Sequence, residues 1–314
     1  MRAIARRLGR SPNTISHELG ENAAMKGYDP VAATRKAKER RRDAKYQGMK
    51  IVGTSELQKY VNRHLYDDLS PEAIAGRLKR HEWGLPYASK DSIRRYLKTA
   101  YAGAVDWYRT QQKRKRTWSR KRPRVAELAD RTFIDKRPIS IQKRRGVGHA
   151  EADFIVSGRT GKGIILTLAD RKLRVSFLER ILPVTIPNVE RAFLRIKKRF
   201  PELKSITTDN DILFRHHKRL ERLLGVKIYF CHPYRSWEKG TIENTNKYIR
   251  RDIPKGSDIS RYSKRFIKNL EAKLNRRYMK VLDYRTPQEM IDRERKKRLR
   301  VLKKKRKQGV LLEP

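Results

Sequence analysis

The sequence predicts a multidomain protein in which all-α helix-turn-helix modules precede an α/β core with a mixed five-stranded sheet, followed by a basic helical tail. Three observations predict this. Apolar residues recur at helical spacing to about residue 108, they switch to strand-like runs from His149, and Lys and Arg crowd the stretches after each part. The expected segments are 1–50, a helix-turn-helix with a basic connector; 51–108, a second helix-turn-helix-like domain; 109–148, a basic linker; 149–292, the core; and 293–314, the tail.

In the first module Ala3, Ile4 and Leu8 make an apolar helical stripe, and Gly9 ends that helix. Ser11 then caps a second helix with Pro12 at its first position. Ile15 and Leu19 supply its inner side. Helix, glycine-containing turn and capped helix form the helix-turn-helix pattern, whose second helix enters the major groove; an ordinary helical hairpin is the plainer alternative. Asn13, Thr14, Ser16 and His17 are the expected base readers. A tri-helical domain also needs a helix ahead of this pair, and Met1 starts too late to supply one. Residues 32–50 read as a charged helix, a solvated connector lying along phosphates rather than a packed element.

The second module begins with Leu57, Tyr60, Val61, Leu65 and Leu69 at helical spacing. Ser70-Pro71-Glu72 opens another helix with Ile74, Leu78 and Trp83 as its apolar stripe, and Ser89 caps a third with Ile93 and Leu97 inward. Lys90, Ser92, Arg94 and Arg95 are expected to face DNA; a purely structural bundle is the alternative. Residues 109–124 hold nine Lys or Arg and no acid, so they read as a linker tracking phosphates, with Trp118 free to stack on a base or pack on a neighbour.

Charge narrows the partner. Lys and Arg number 80 against 34 Asp and Glu, a net +46, and so large an excess calls for a polyanion such as double-stranded DNA. One cysteine, Cys231, allows no internal disulfide and fits a reducing, cytoplasmic compartment. No apolar run approaches the ~18 residues of a membrane span. No Cys/His spacing suits zinc, and no Gly-rich phosphate loop suggests a nucleotide cofactor.

From His149 onward, strands are expected at 152–156, 163–169 and 173–182, the three forming an antiparallel meander. An amphipathic helix over 187–200 carries Val189, Phe193 and Ile196 inward. A fourth strand over 203–208 ends at Asp209, a helix covers 212–224, and a buried fifth strand covers 226–230. After Ser236-Trp237 a further helix carries Glu243 and Arg250, seven residues apart and therefore on one face.

Asp153 lies within the first strand, Asp209 at the end of the fourth, and Glu243 on the helix after the fifth. If the first and fourth strands are neighbours, the three carboxylates converge although 56 and 34 positions separate them. Such a set suits phosphodiester chemistry with two divalent ions roughly 4 Å apart. Hard oxygen ligands select Mg²⁺ or Mn²⁺, Asp153 bridging both ions and Asp209 and Glu243 each binding one. Taken singly, each acid has a plainer reading as a strand cap or a solvated charge.

Together, the segments His149-Ala-Glu-Ala-Asp153, Thr208-Asp209-Asn210, Trp237-Glu-Lys-Gly240-Thr-Ile-Glu243-Asn244-Thr-Asn246, Pro254-Lys-Gly256 and Leu274-Asn275-Arg276 resemble the bacterial IS-thirty family of insertion-sequence transposases. The resemblance covers nearly the whole chain. Thirty-three residues lie between Asp209 and Glu243, as that family's DDE signature requires, and Arg250 matches its basic residue after the Glu. The resemblance implies an RNase H-like integrase core with Asp153, Asp209 and Glu243 as catalytic, metal-binding residues. It also implies cleavage at inverted-repeat ends and strand transfer into target DNA, with Mg²⁺ and no covalent enzyme–DNA intermediate. Bringing two ends together implies a homodimer or higher oligomer on DNA. Asp211 and Leu213 stand where the family has Gly and Glu, and Arg277-Tyr278-Met279-Lys280 departs from its Arg-Pro-Arg-Lys. These departures keep open an alternative, a decayed or domesticated relative that binds DNA without cutting it.

Secondary candidates complete the set. Asn244, Asn246 and Lys247 are expected on the DNA-facing side of the Glu243 helix, with Arg250 contacting phosphate. Glu151 is expected to help position a metal, and Asp170 to end a strand and pair Arg171 or Lys172. His149 and His232 have either structural or phosphate-contacting roles. Residues 293–307, with eleven Lys or Arg and one acid, read as a non-specific DNA-contacting tail.

Overall fold

A computed structural model describes residues 1–22, 27–44, 49–113, 130–233 and 235–307. In the first module, α1 (Arg2–Leu8) ends at Gly9 in the left-handed region, φ 58°, which a residue without Cβ adopts at no steric cost. Ser11 Oγ then accepts the Thr14 N–H at 3.1 Å and starts α2 (Pro12–Asn22). The expected inner stripe of α1 is not covered: Ile4 is exposed and Leu8 is 61% exposed, while Ala5 is the residue buried. The connector expectation also gives way. Residues Pro30–Ala44 form α3, with Ala33 buried and Arg40 bonded to Asn22 Oδ1 and the Glu21 carbonyl, so a third helix packs on the pair from downstream.

The second helical unit comprises α4 (Met49–Val52), α5 (Ser55–Tyr66), α6 (Pro71–His81), α7 (Lys90–Tyr96) and α8 (Gly103–Lys113). Ser70 and Ser89 cap α6 and α7 by accepting the Ala73 and Ser92 N–H groups. Leu57, Val61, Leu65, Leu69, Ile74, Leu78 and Ile93 form its core, with Tyr96 fully buried among them. Trp83 does not join that core. It lies two residues past the end of α6 and is 87% exposed. Arg109, expected in the linker, sits on α8 and donates to the Leu65 and Leu69 carbonyls at the end of α5. The rest of the expected linker stretch through 124, Trp118 included, lies outside the described residues.

Residues 130–148, also expected as linker, run along the α/β core. The Phe230 N–H donates to the Thr132 carbonyl, Phe133 bridges Phe230, and α9 (Ile139–Gln142) buries Ile141. The core sheet holds β1 (His149–Val156), β2 (Ile164–Asp170), β3 (Ser176–Ile181), β4 (Ser205–Thr208) and β5 (Lys227–Phe230) in the order β3-β2-β1-β4-β5. The first three strands are antiparallel, while β4 joins β1 and β5 joins β4 in parallel. Alternation along β1 sends Ala150, Ala152 and Phe154 to one face, where α10 (Ile186–Arg199) and α11 (His217–Leu224) pack. Glu151, Asp153 and Ile155 alternate to the other face, where α12 (Gly240–Asp252) and α13 (Lys264–Asn275) pack. This is the RNase H-like arrangement, with helices on both faces of a mixed sheet.

The basic tail is the helix α14 (Pro287–Lys307), begun by a reciprocal cap in which Glu289 N–H donates to Thr286 Oγ1 and Thr286 N–H to Glu289 Oε2. The segment between α13 and α14 docks the second helical unit on the core. Arg77 makes a two-bond pair with Glu289, Tyr278 Oη meets His64 and Tyr60, Lys280 reaches Glu72, and the Arg277 guanidinium lies 3.7 Å from the Tyr248 ring centroid. Arg251 pairs with Asp68 across the same junction. The run that departs from the family pattern therefore builds this contact.

Candidate active site

The parallel ladder sets the geometry. Its last paired positions are Glu151 and Thr207, and Asp153 and Asp209 each stand two residues further on, so both carboxylates reach the same level of the sheet. Between them lies the ammonium of Lys239, 3.3 Å from Asp153 Oδ1 and 2.9 Å from Asp209 Oδ2. Asn246 Nδ2 holds the other Asp153 oxygen at 2.7 Å. Asp209 Oδ1 is buried without a hydrogen-bond partner among the described residues.

Electrostatics follow from burial. The Asp153 carboxyl is raised above the usual aspartate range, chiefly by desolvation; the Lys239 charge opposes this and the Asp209 charge adds to it. Desolvation pulls Lys239 down, but Asp153 and Asp209 outweigh it and the ammonium ends above its ordinary value. The thiol of Cys231 is pushed up to about 12 by burial, so it is inert as a nucleophile.

Glu243 occupies the first turn of α12 and is half-buried. It precedes Asn246 by three positions and Arg250 by seven, so it shares the helix face that touches Asp153. Asp153 and Asp209 converge on one cation, whereas no group of three His, Cys, Asp or Glu side chains among the described residues is close enough to hold a metal ion as it stands. Arg250 is half-buried, with its cationic form disfavoured by desolvation and favoured by the nearby Asp153 charge.

Glu151 anchors the start of α12. Fully buried on β1, it accepts the Thr241 and Ile242 N–H groups through Oε2 at 2.8 and 2.9 Å, and the Arg171 Nε through Oε1 at 3.0 Å. It thus satisfies two of the open donors that begin α12 and complements the positive end of that helix. Arg171 is thereby engaged with Glu151, and Asp170 does not pair with it. Asp170 instead accepts the Gly148, Lys172 and Leu173 backbone N–H groups. His232 is clamped between Glu238 and Asp135, and His149 bonds Ser205.

Asp211 turns to cap a short helical turn by accepting the Leu213 N–H at 2.8 Å, and Leu213 packs against the core. Both departures from the family pattern thus have local structural roles.

Among the proposed DNA contacts, Asn13, Thr14, Ser16 and His17 are exposed on α2, as are Lys90, Arg94 and Arg95 on α7. Thr14 Oγ1 is bonded to Ser11 and Arg94 to Asp91, and Ser92 is half-buried against Ser89. Asn244 and Lys247 are exposed on α12; Asn244 borders a cavity of roughly 260 Å³ at the junction with the second helical unit. Sequence reasoning missed Lys239, which no spacing pattern distinguishes from the other basic residues of so cationic a chain.

The family model described as "Helix-turn-helix domain" matches residues 1–22. Along most of its length the chain is similar to the transposase for insertion sequence element IS4351 of Bacteroides fragilis, 34% identical over 294 residues that cover 92% of this chain and 88% of the relative. It is similar to transposase InsI for insertion sequence element IS30A of Escherichia coli (strain K12), 33% identical over 308 residues, 93% of this chain and 79% of the relative. The transposase for insertion sequence element IS1086 of Cupriavidus metallidurans is 28% identical over 307 residues, with 93% and 88% covered. A solved catalytic core domain of BIV integrase matches at 17% identity and a TM-score of 0.37, covering 48% of this chain and 99% of that one, a likeness too slight to argue from. No helix among the described residues is long and apolar enough to cross a membrane.

Proposed function

The chain belongs to the IS-thirty family of insertion-sequence transposases, and from that premise we propose that Asp153, Asp209 and Glu243 form its DNA-cutting and DNA-joining centre. The observation that carries this reading is the convergence of Asp153 and Asp209, from neighbouring parallel strands, on a single buried cation. Their oxygens fit a hard divalent ion: a cation is already accommodated between them, and Asp209 Oδ1 is buried with no hydrogen-bond partner among the described residues. Glu243 would complete the set from the face of α12 that touches Asp153.

Mg²⁺ or Mn²⁺, when bound, would activate the oxygen nucleophile and offset charge on the leaving oxygen. The chain's own groups do the holding. Asn246 orients the Asp153 carboxylate, Glu151 fixes the start of α12, and Arg250 lies on the same helix face toward phosphate. The reaction we propose is two exchanges at phosphorus. Water first breaks the bond to the 3′-oxygen at the element end, and the freed 3′-hydroxyl then displaces a 3′-oxygen of the target strand. Each exchange forms one P–O bond and breaks one. The helix-turn-helix of α1 and α2 and the α6–α7 pair would bind inverted-repeat ends, and two ends would call for a dimer or higher oligomer. No observation favours a relative that only occupies its sites.

The test is incubation of the purified chain with labelled DNA flanking its own gene and Mg²⁺ or Mn²⁺, beside Asp153→Asn, Asp209→Asn and Glu243→Gln. Nicked and joined products are expected from the wild type. Each variant should keep end binding and lose both products, and products retained by any one of them would remove that residue from the centre.

A further inference from the structure

One charged group at this site has no part in the reaction proposed above. Lys239 is only 6% exposed, and lysine is almost never buried to that degree unless it is paired. Its two partners come from strands 56 positions apart in sequence, and its ammonium stands between their carboxylates. Without a cation there, Asp153 and Asp209 would face each other as like charges at a half-buried sheet end. The ammonium thus has the charge sign and the place of a metal ion.

We propose that Lys239 is a resident counter-cation, which holds Asp153 and Asp209 together in the metal-free protein and must swing out before a divalent ion can bind between them. This rests on the reading of Asp153 and Asp209 as metal-holding residues. An ammonium and a dication cannot share one pair of carboxylates, because the like charges repel at that range. The local fold permits the exchange. Lys239 ends the short helical turn Ser236–Lys239, whose Trp237 is largely exposed, so the outer side of that turn borders solvent. The helix α12, which starts at the next residue, is held independently by Glu151 through the Thr241 and Ile242 N–H groups. Glu238 of the turn is held by His232, so it is the Lys239 side chain that swings outward from the end of the turn while Asn246 and Glu243 stay in place. The metal-free protein would then have a low apparent metal affinity, since only the fraction with the lysine displaced is competent to bind. The site loads by exchange of cations.

Amine acylation of the whole chain with peptide mass spectrometry, in EDTA and in saturating Mn²⁺, reads the exchange directly. Mn²⁺ binding by the wild type and Asp153→Asn is measured in parallel by calorimetry. Lys239 is expected to resist acylation in EDTA and to become about tenfold more reactive in Mn²⁺, while exposed Lys172 does not change. Lys239→Met is expected to bind Mn²⁺ about tenfold more tightly than the wild type, and Arg235→Met, which loses the same charge close by, is not. If the wild type binds Mn²⁺, Asp153→Asn does not, and Lys239 stays equally protected, the counter-cation is overturned while the metal-site reading stands. No Mn²⁺ bound by the wild type would remove that reading and the counter-cation with it. Should Lys239→Met fail to fold, the acylation comparison still decides, because it uses the wild type alone.

Discussion

Glu151 and Arg171 meet at 3.0 Å in a pair from which solvent is almost wholly excluded. The same carboxylate holds the first turn of α12, so one side chain ties β1, the turn after β2 and the helix bearing Glu243. Glu151→Ala should lower the unfolding free energy by about 3–5 kcal/mol, because it strands a buried guanidinium as well as two helix N–H groups. Adding Arg171→Met should recover part of that loss. Urea titrations of the two singles and the double decide it; a loss in the double equal to the sum of the two singles would show that the pair itself contributes nothing.

Gly76 on α6 allows Tyr284 to pack against its backbone. A Cβ placed there would come within 2.1 Å of the Tyr284 ring. Gly76→Ala should therefore loosen the seating of the second helical unit, at an overpacking cost of about 1–3 kcal/mol. Hydrogen exchange should rise both in α6 and in residues 276–286. Tyr284→Ala in the Gly76→Ala background should restore protection in α6, and its failure to do so would place the clash elsewhere.

His149, bonded to Ser205, is held below its ordinary value of 6.5, first by burial and then by Lys204, Arg171 and Arg137. A base with a depressed folded value binds its proton more readily when unfolded. Its contribution to stability is full above 6.5 and is lost as pH falls through the lowered folded value. Stability measured at about pH 7.5 and 5.5 should drop more in the wild type than in His149→Gln. Parallel curves would contradict this.

End binding should weaken steeply with salt. Each phosphate neutralised contributes about 0.9 to the slope of log affinity against log salt, and a chain of net charge +46 with the two proposed reading heads should give a slope of about −5 or steeper. Filter-binding or fluorescence titrations across salt concentrations measure it, and a shallow slope would mean that the basic surface does not follow the DNA backbone.

Much of this architecture was legible because it rests on local patterns. Ser11, Ser70 and Ser89 announce their helices as caps, and the change from helical to alternating apolar spacing near His149 marks the sheet. Asp153 could be placed within the first strand and Asp209 at the end of the fourth, and the β1–β4 neighbourhood follows from that class of sheet. Other features depend on partners far along the chain. Nothing local tells that Lys239 pairs with Asp153, or that Glu151 takes N–H groups ninety residues later. The expected stripe also failed at its end: Trp83 stands about 140° round a helix from Leu78, and α6 already ends at His81, so the ring stays in solvent. Charge density misled at Arg109, whose guanidinium serves the end of α5 instead of a phosphate.

The ladder between β1 and β4 has a consequence for how this gene can vary. Asp153 and Asp209 meet because each stands two steps past a paired position, whatever length of chain joins the strands. Codons gained or lost in the turn over 157–163, or between β3 and α10, would leave the two acids level. Loss of a single codon between Ser205 and Asp209 would turn the second acid to the opposite side of the sheet, since side chains alternate at every residue. This chain can therefore change in length between the two aspartates, but inside β4 it must keep its count.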